Sequence, residues 1–227
     1  EPHGVVIDHA GQYAYVANTG ENTISVVNVD QLTETKRLAA GVGPWSLALS
    51  PDGRQVWVTN IRPSPGHFRE PPKSEVTIVS ATESRVVHRA VLDDANMLQG
   101  IQLVPGHDVA ICTLVRTKNL VPLTRLSQGW CVTNGLGILW PDGRVDQLLL
   151  DEPASAFADP MDIAVSPDGR YALVTSGGTN QVALVDLPAL LSVLTHASAD
   201  ARSTVLPTHL GLRRGYVLKR LPVGRNP

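Results

Sequence analysis

The sequence has little net charge, few aromatic residues and only two cysteines. Its 227 residues include 19 Lys or Arg against 21 Asp or Glu, so the formal net charge is −2, and aromatic residues make up 4%. Dedicated nucleic-acid-binding proteins are usually basic, so we expect no nucleic-acid partner. The two cysteines, Cys112 and Cys131, are too few for a disulfide scaffold or a structural zinc site.

The sequence also lacks long apolar runs and a targeting segment. No apolar run reaches the length of a membrane span, so we expect none. Residue 1 is Glu and no basic-then-apolar leader follows, so we expect a processed, trimmed or partial chain. With 43% hydrophobic and 18% charged residues, the chain is not of the disordered class. The 19 glycines and 17 prolines predict many turns.

Four segments repeat one pattern, in which a short apolar strand runs into a turn resembling Pro-Asp-Gly and a second apolar strand follows. Two further short strands complete each unit, and in the last unit the Ala- and Leu-rich stretch 188–198 predicts a helix between them. Four-stranded units with a period of roughly 40 residues or more are typical of β-propeller blades. We therefore predict an all-β propeller of antiparallel blades. The predicted blades are 1–42, 43–97, 98–158 and 159–224, with 225–227 beginning another.

The repeat resembles that of the YVTN-family β-propellers of bacteria. The resemblance rests on residues 15–18 (Tyr-Val-Ala-Asn) and 57–60 (Trp-Val-Thr-Asn), each after a turn, and on the third strands at 22–29 and 180–186. The motif is degraded at residues 111–114 and at the end of the fourth unit. The resemblance implies a seven-bladed ring, of which this chain holds about four blades as a partial propeller.

An insertion in the third unit points to a subgroup. Residues 116–120, 128–130 and 133–135 are similar to an insertion in bacterial YVTN propellers that adjoin cytochrome c domains. Because no Cys-x-x-Cys-His is present, we expect no cofactor within this chain, and any haem would lie in an adjoining domain. The resemblance implies a periplasmic or cell-surface location.

Propeller geometry predicts where a ligand would bind. The first strands begin beside the central channel, and the loops after the second strands share that face. The side chains next to the blade-starting residues differ between blades, as expected of a binding surface on a repeat scaffold. This column consists of His3, Trp45, Gln99 and Met161, followed in the fourth blade by Asp162.

Two long loops add positive charge to the same face. The basic residues of segments 61–74 and 115–132 that we expect to bind a partner are Arg62, Arg69, Arg116, Lys118 and Arg125. Such side chains bind carboxylates, phosphates or an acidic protein surface, and the alternative is a solvated loop without a ligand. Asp93, Asp94, Asp151 and Glu152 are candidate ion-pair partners for these cations.

The cysteines and histidines bear on whether the chain contains a disulfide or a metal site. Cys112 and Cys131 flank the third-blade insertion and either form a disulfide at its base or are a buried thiol and an unrelated one. The histidines show no metal-binding spacing, so no metal site is expected.

Two functions are compatible with these features. The first is a non-catalytic binding and docking module, which serves a neighbouring redox domain and binds a protein or a small anion. The second is a lactonase-like or quinoprotein-like enzyme with its active site in the channel. The second rests on fold analogy alone.

Overall fold

A computed structural model describes residues 1–68, 70–117 and 131–227 of the chain. These residues form four antiparallel sheets, each with a path of four strands in chain order. Blade 1 contains β1 (Pro2–Ile7), β2 (Tyr13–Asn18), β3 (Thr23–Asn28) and β4 (Thr33–Ala39). Blade 2 contains β5 (Pro44–Leu49), β6 (Gln55–Asn60), β7 (Lys73–Ser80) and β8 (Arg85–Asp93).

Blades 3 and 4 follow the same plan. Blade 3 contains the short β9 (Ala95–Asn96), which pairs with β11, and then β10 (Ile101–Val104), β11 (Val109–Thr117), β12 (Val132–Leu139) and β13 (Val145–Leu149). Blade 4 contains β14 (Pro160–Val165), β15 (Tyr171–Ser176), β16 (Gln181–Asp186) and β17 (Val217–Pro222). The four-stranded antiparallel units predicted from the repeat are therefore present.

The turns between first and second strands are built by one aspartate each in blades 2 and 4. In blade 2, Asp52 Oδ1 accepts hydrogen bonds from the Ser50 hydroxyl at 2.5 Å and from the Arg54 N–H at 3.0 Å. These donors, with the Ser50 hydroxyl first, hold the pKa of Asp52 below its usual value. Gly53 closes the turn at φ +71°, a left-handed conformation that favours glycine.

A helix interrupts blade 4 between its third and fourth strands, as the sequence predicted. Helix α1 (Leu187–His196) begins where the Asp186 carboxylate accepts the Ala189 N–H at 2.9 Å, with Pro188 in the first turn. Its four buried leucines are Leu187, Leu190, Leu191 and Leu194. Short helical segments follow at Ala201–Val205, Leu206–Thr208 and Leu212–Gly215.

Three hydrophobic cores fill the spaces between neighbouring blades. Tyr15 and Leu47 belong to the core between blades 1 and 2, whereas Trp57 and Ile101 belong to that between blades 2 and 3. The largest core lies between blades 3 and 4 and includes the leucines of α1. The first strands of adjacent blades contact one another and form the inner wall.

The outward faces of blades 1 and 4 expose apolar side chains. Val5 on β1 is 63% exposed, whereas Leu47 at the corresponding position of β5 is 9% exposed. Leu173 on β15 is 45% exposed, whereas Trp57 at the corresponding position of β6 is 7% exposed. The difference arises because Leu47 and Trp57 each face a neighbouring blade.

Among the described residues, no helix is long and apolar enough to cross a membrane.

Candidate functional site

The strand registers place the predicted column of variable residues at equivalent positions. In blades 1, 2 and 4 the starting proline pairs with the second strand, and after a break in register the pairing resumes three residues later, as in Leu47 opposite Val58 and Ile163 opposite Val174. The residues two positions before these pairs are His3, Trp45, Gln99 and Met161. We call the surface where the first strands begin the channel-mouth face.

The backbone of this column joins neighbouring blades. The Thr59 hydroxyl of blade 2 donates to the Gln99 carbonyl at 2.7 Å, and the Thr113 hydroxyl of blade 3 lies 3.4 Å from the Met161 carbonyl. Blade 1 has Ala17 at the threonine position, and there His3 Nδ1 lies 3.3 Å from the Trp45 carbonyl. The column therefore has a structural role through its backbone, which leaves the side chains free to differ.

His3 and Trp45 form an aromatic pair at the boundary between blades 1 and 2. Their ring centroids are 3.3 Å apart and their planes differ by 24°. His3 is exposed and Trp45 is half-buried, so the pair presents an aromatic edge to solvent. Such amphipathic aromatic groups are frequent at protein–protein contacts.

Gln99 and Met161 are less accessible than the sequence suggested. The Gln99 side chain is buried, and its amide nitrogen donates to Asp159 Oδ1 at 3.2 Å. Met161 is half-buried and its side chain lies beside Gly177, whereas Asp162 next to it is exposed. Asp162 Oδ1 accepts the N–H of Ile163 at 2.8 Å. The accessible members of the column are therefore His3, Trp45 and Asp162.

A buried carboxylate behind this face was not predicted as part of the site. Asp151 accepts hydrogen bonds from the N–H groups of Asn134 at 2.6 Å and Phe157 at 2.7 Å. Burial raises the pKa of Asp151, although these donors oppose the shift. The side-chain Oδ1 of Asn134 in turn accepts the Asp159 N–H at 3.1 Å, which links Asp151 to Gln99 through Asp159. In the sequence, the only indication that Asp151 is buried is that it directly follows three leucines.

The prediction that Arg116 lies in an exposed binding loop is wrong. Arg116 is a residue of β11 and is buried between blades 2 and 3. Its guanidinium donates to Asp94 Oδ2 at 2.8 Å and to Gln147 Oε1 at 2.7 Å, so it stabilises the fold and does not face solvent. The ion pair with Asp94 was among the expected pairings.

Of the other four basic residues predicted to bind a partner, the structure describes only Arg62. Arg62 is exposed beside Gly43 on the channel-mouth face, and among the described residues it forms no ion pair. Arg69, Lys118 and Arg125 lie outside the described residues. Asp93 pairs at 3.6 Å with Lys73, a further basic residue of segment 61–74, whereas Glu152 pairs with Arg213 and Arg214.

The possible disulfide between Cys112 and Cys131 is also wrong, because both thiols are free. In the ladder of β11 and β12, Cys112 lies opposite Gly137, whereas Val132, directly after Cys131, lies opposite Thr117. Five residues of strand separate these pairs, or roughly 17 Å. A disulfide needs Cα atoms within about 7 Å.

Within residues 1–68, 70–117 and 131–227, no group of three or more His, Cys, Asp or Glu side chains is arranged to hold a metal ion.

Comparison with known proteins identifies the fold. The solved structure of Kuenenia stuttgartiensis hydrazine synthase matches 100% of this chain and 76% of its own, with a TM-score of 0.77 at 20% identity. The fold is a β-propeller. Dihydro-heme d1 dehydrogenase NirN matches 98% of the propeller and 37% of its own chain, with a TM-score of 0.57 at 15% identity. Both structures are too distant in sequence to indicate more than the fold, and the predicted fold class is confirmed.

A sequence relative is also found among curated proteins. Over 209 residues the propeller is 26% identical to hydrazine synthase subunit beta of Kuenenia stuttgartiensis, a match that covers 91% of this chain and 52% of that protein. The propeller therefore spans about half the length of this relative. No model of a known protein family matches the chain.

Proposed function

We propose that the propeller is a non-catalytic docking module that binds a partner protein or a small anion at its channel-mouth face, next to a haem-containing redox subunit or domain. The similarity to hydrazine synthase subunit beta supports this proposal, because that protein is by name one subunit of an enzyme assembly. The structural neighbour NirN, by name a dihydro-heme d1 dehydrogenase, is in line with a redox setting.

One observation supports the channel-mouth face as the docking surface. Equivalent backbone positions carry unlike side chains there, and the accessible ones are an aromatic pair, His3 and Trp45, and a carboxylate, Asp162. The exposed guanidinium of Arg62 lies on the same face and is suited to a carboxylate or phosphate. Aromatic residues and arginine are the side chains that dominate binding energy at protein interfaces.

The proposal includes the YVTN-type repeat, an extracytoplasmic location and further blades that complete a ring. Supporting the ring, the outward faces of blades 1 and 4 expose valine and leucine where the faces between blades bury apolar side chains. Closing a propeller covers such faces and removes unpaired edges.

The experiment that tests the docking face compares amide exchange in two samples. The first is the assembly purified from its source organism through a tag on the propeller, and the second is isolated 1–227. We expect the assembly to show a haem absorption band and slower exchange in β5 and at Arg62. The substitutions Trp45→Glu and Arg62→Glu together should reduce recovery of the haem protein about tenfold, a change of roughly 1.4 kcal/mol in binding free energy.

The control is Lys36→Glu, because Lys36 is exposed on β4 at the outer edge of blade 1 and away from the channel mouth. It should leave recovery unchanged. Equal exchange at the channel mouth in the two samples, or an assembly without haem, would contradict the proposal.

A further inference from the structure

A cleft of about 560 Å³ lies between blades 2 and 3, on the face opposite the channel mouth. It is bordered by the turn after β5, by His107 and Asp108 after β10, and by Pro141 and Gly143 after β12. Its volume falls within the range of roughly 300–1,000 Å³ that is common for small-molecule sites. We call it the interblade cleft.

The floor of the interblade cleft is apolar and partly aromatic. It includes Trp57, Ile78 and Leu103, and the Trp140 indole borders it. The Trp57 indole N–H donates to Gln55 Oε1 at 3.2 Å, and the Trp140 indole N–H donates to Asp146 Oδ2 at 2.7 Å. Because the Trp57 indole donor is already paired, Trp57 contributes apolar surface to the cleft, whereas the Arg144 guanidinium lies over the Trp140 ring at 4.1 Å from its centroid.

A β-bulge directs two side chains of β8 into the cleft. Val79 pairs with Val86 and Ile78 with His88, so Val87 is the extra residue between them. A bulge places consecutive side chains on the same side of a strand, and both Val87 and His88 line the cleft. Val87 is 38% exposed, so an apolar side chain borders open solvent there.

The rim of the interblade cleft carries one guanidinium, two imidazoles and two carboxylates, from Arg54, His88, His107, Asp52 and Asp108. The imidazoles of His88 and His107 are exposed, and the Arg54 side chain is 78% exposed with Asp52 3.8 Å away. The Asp52 carboxylate is engaged by the Ser50 hydroxyl and the Arg54 N–H, and Asp108 is the other acidic group of the lining. The donors that the rim offers to an anionic group are the guanidinium of Arg54, beside Asp52, and the imidazoles of His88 and His107.

We propose that the interblade cleft binds a flat aromatic or heteroaromatic molecule that carries a carboxylate or another anionic group. The ring packs on Trp57, Ile78 and Leu103, and the anionic group accepts hydrogen bonds from Arg54, His88 and His107. This site is separate from the channel-mouth face, because it lies at the other ends of the first strands.

The test uses 2-naphthoate as the probe and the indole N–H signals of Trp57 and Trp140 as the readout, in NMR titrations of the 227-residue chain. We expect saturable shifts of both signals. Val87→Trp fills the cleft and should weaken binding by about tenfold or more. The matched control is Val91→Trp, because Val91 is 47% exposed on the same strand but points away from the core formed by Ala90 and Leu92.

A second pair of measurements checks the anionic contact. His88→Ala combined with His107→Ala should weaken 2-naphthoate and leave naphthalen-2-ylmethanol unchanged, because the alcohol lacks the charge. Both histidines are exposed, so this variant keeps the fold even if Val87→Trp does not. Absence of saturation, shifts at Trp45 in place of Trp57, or equal affinity in Val87→Trp with circular dichroism unchanged would overturn the proposal.

Discussion

A threonine hydroxyl links blade 2 to blade 3 at the channel-mouth face. Thr59 is fully buried, accepts the Ser46 N–H at 3.1 Å and donates to the Gln99 carbonyl at 2.7 Å. Thr175 holds the same position in blade 4 and accepts the Asp162 N–H at 3.1 Å. Within the described part of the chain, no hydrogen bond joins Thr175 to another blade.

Replacing Thr59 with valine should therefore destabilise the propeller. Valine keeps the β-branched shape but leaves the Ser46 N–H and the Gln99 carbonyl buried without this partner, which costs about 1–3 kcal/mol. Urea unfolding of Thr59→Val measures the loss. Thr175→Val is the matched control and should cost less, and equal losses in the two variants would show that the contact between blades contributes nothing.

The two cysteines should differ sharply in reactivity. Complete burial raises the pKa of the Cys112 thiol to about 12, so this thiol stays protonated at all ordinary pH values. Because the thiolate is the reactive form, iodoacetamide at pH 8 should label the half-buried Cys131 and leave Cys112 unlabelled in the folded protein. Mass spectrometry counts the labels.

Unfolding in guanidinium chloride provides the control, since both thiols should then react without a reducing agent. Two labels on the folded protein would contradict the burial of Cys112. No labels on the unfolded protein would mean that the cysteines are linked.

Among the elements, helix α1 depends on the residue that precedes it, Asp186, for a defined start. The Asp186 carboxylate accepts the Ala189 N–H at 2.9 Å, whereas Asp200, before the helical segment Ala201–Val205, makes no such side-chain bond. Asp186→Ala should lower the free energy of unfolding by about 1 kcal/mol, and Asp200→Ala should change it little. Thermal or urea unfolding compares the two, and a larger effect of Asp200→Ala would refute the assignment.

Strands and turns were predictable because their signals are local. The Pro-Asp-Gly turns combine a proline, an aspartate whose carboxylate caps nearby N–H groups and a glycine at positive φ, all within four residues. The third strands of blades 1 and 4, and α1, lie within a few residues of the predicted ranges 22–29, 180–186 and 188–198.

The candidate site was predicted less completely, because its geometry depends on contacts between distant residues. The repeat predicted that the residues of the column occupy equivalent strand positions, as the registers show, but it did not indicate that Gln99 turns inward to Asp159. Arg116 looked like a loop residue because it follows an apolar strand, yet β11 extends to Thr117 and places it against Asp94 and Gln147. Asp94 was among the acidic residues expected to pair with the basic loops, whereas no pattern in the sequence indicated Gln147 as a partner.

At the scale of the whole molecule, the two outward blade faces should make the 227-residue chain self-associate. Ile7 is 51% exposed on β1 and Leu173 is 45% exposed on β15, both next to other apolar side chains. Exposed apolar patches promote association. Ile7→Lys combined with Leu173→Lys should raise the dissociation constant of the self-associated form about tenfold or more, measured by sedimentation velocity.

A suitable control is Leu32→Lys, because Leu32 is 84% exposed but lies in the turn between β3 and β4, away from both faces. It should leave association unchanged. If Leu32→Lys raised the dissociation constant as much as the double variant does, the effect would come from added charge and not from the outward blade faces.

The division of the interior into three cores has a consequence for how the molecule opens. Each core joins only two adjacent blades, so the stability of a blade is set by its immediate neighbours. Blades 2 and 3 each pack against a hydrophobic core on both faces, whereas blade 1 packs against a core on one face only among the described residues. Amide exchange should therefore be slowest in β6 and β11 and faster in β2, with blade 1 detaching in a sub-global opening before the rest unfolds.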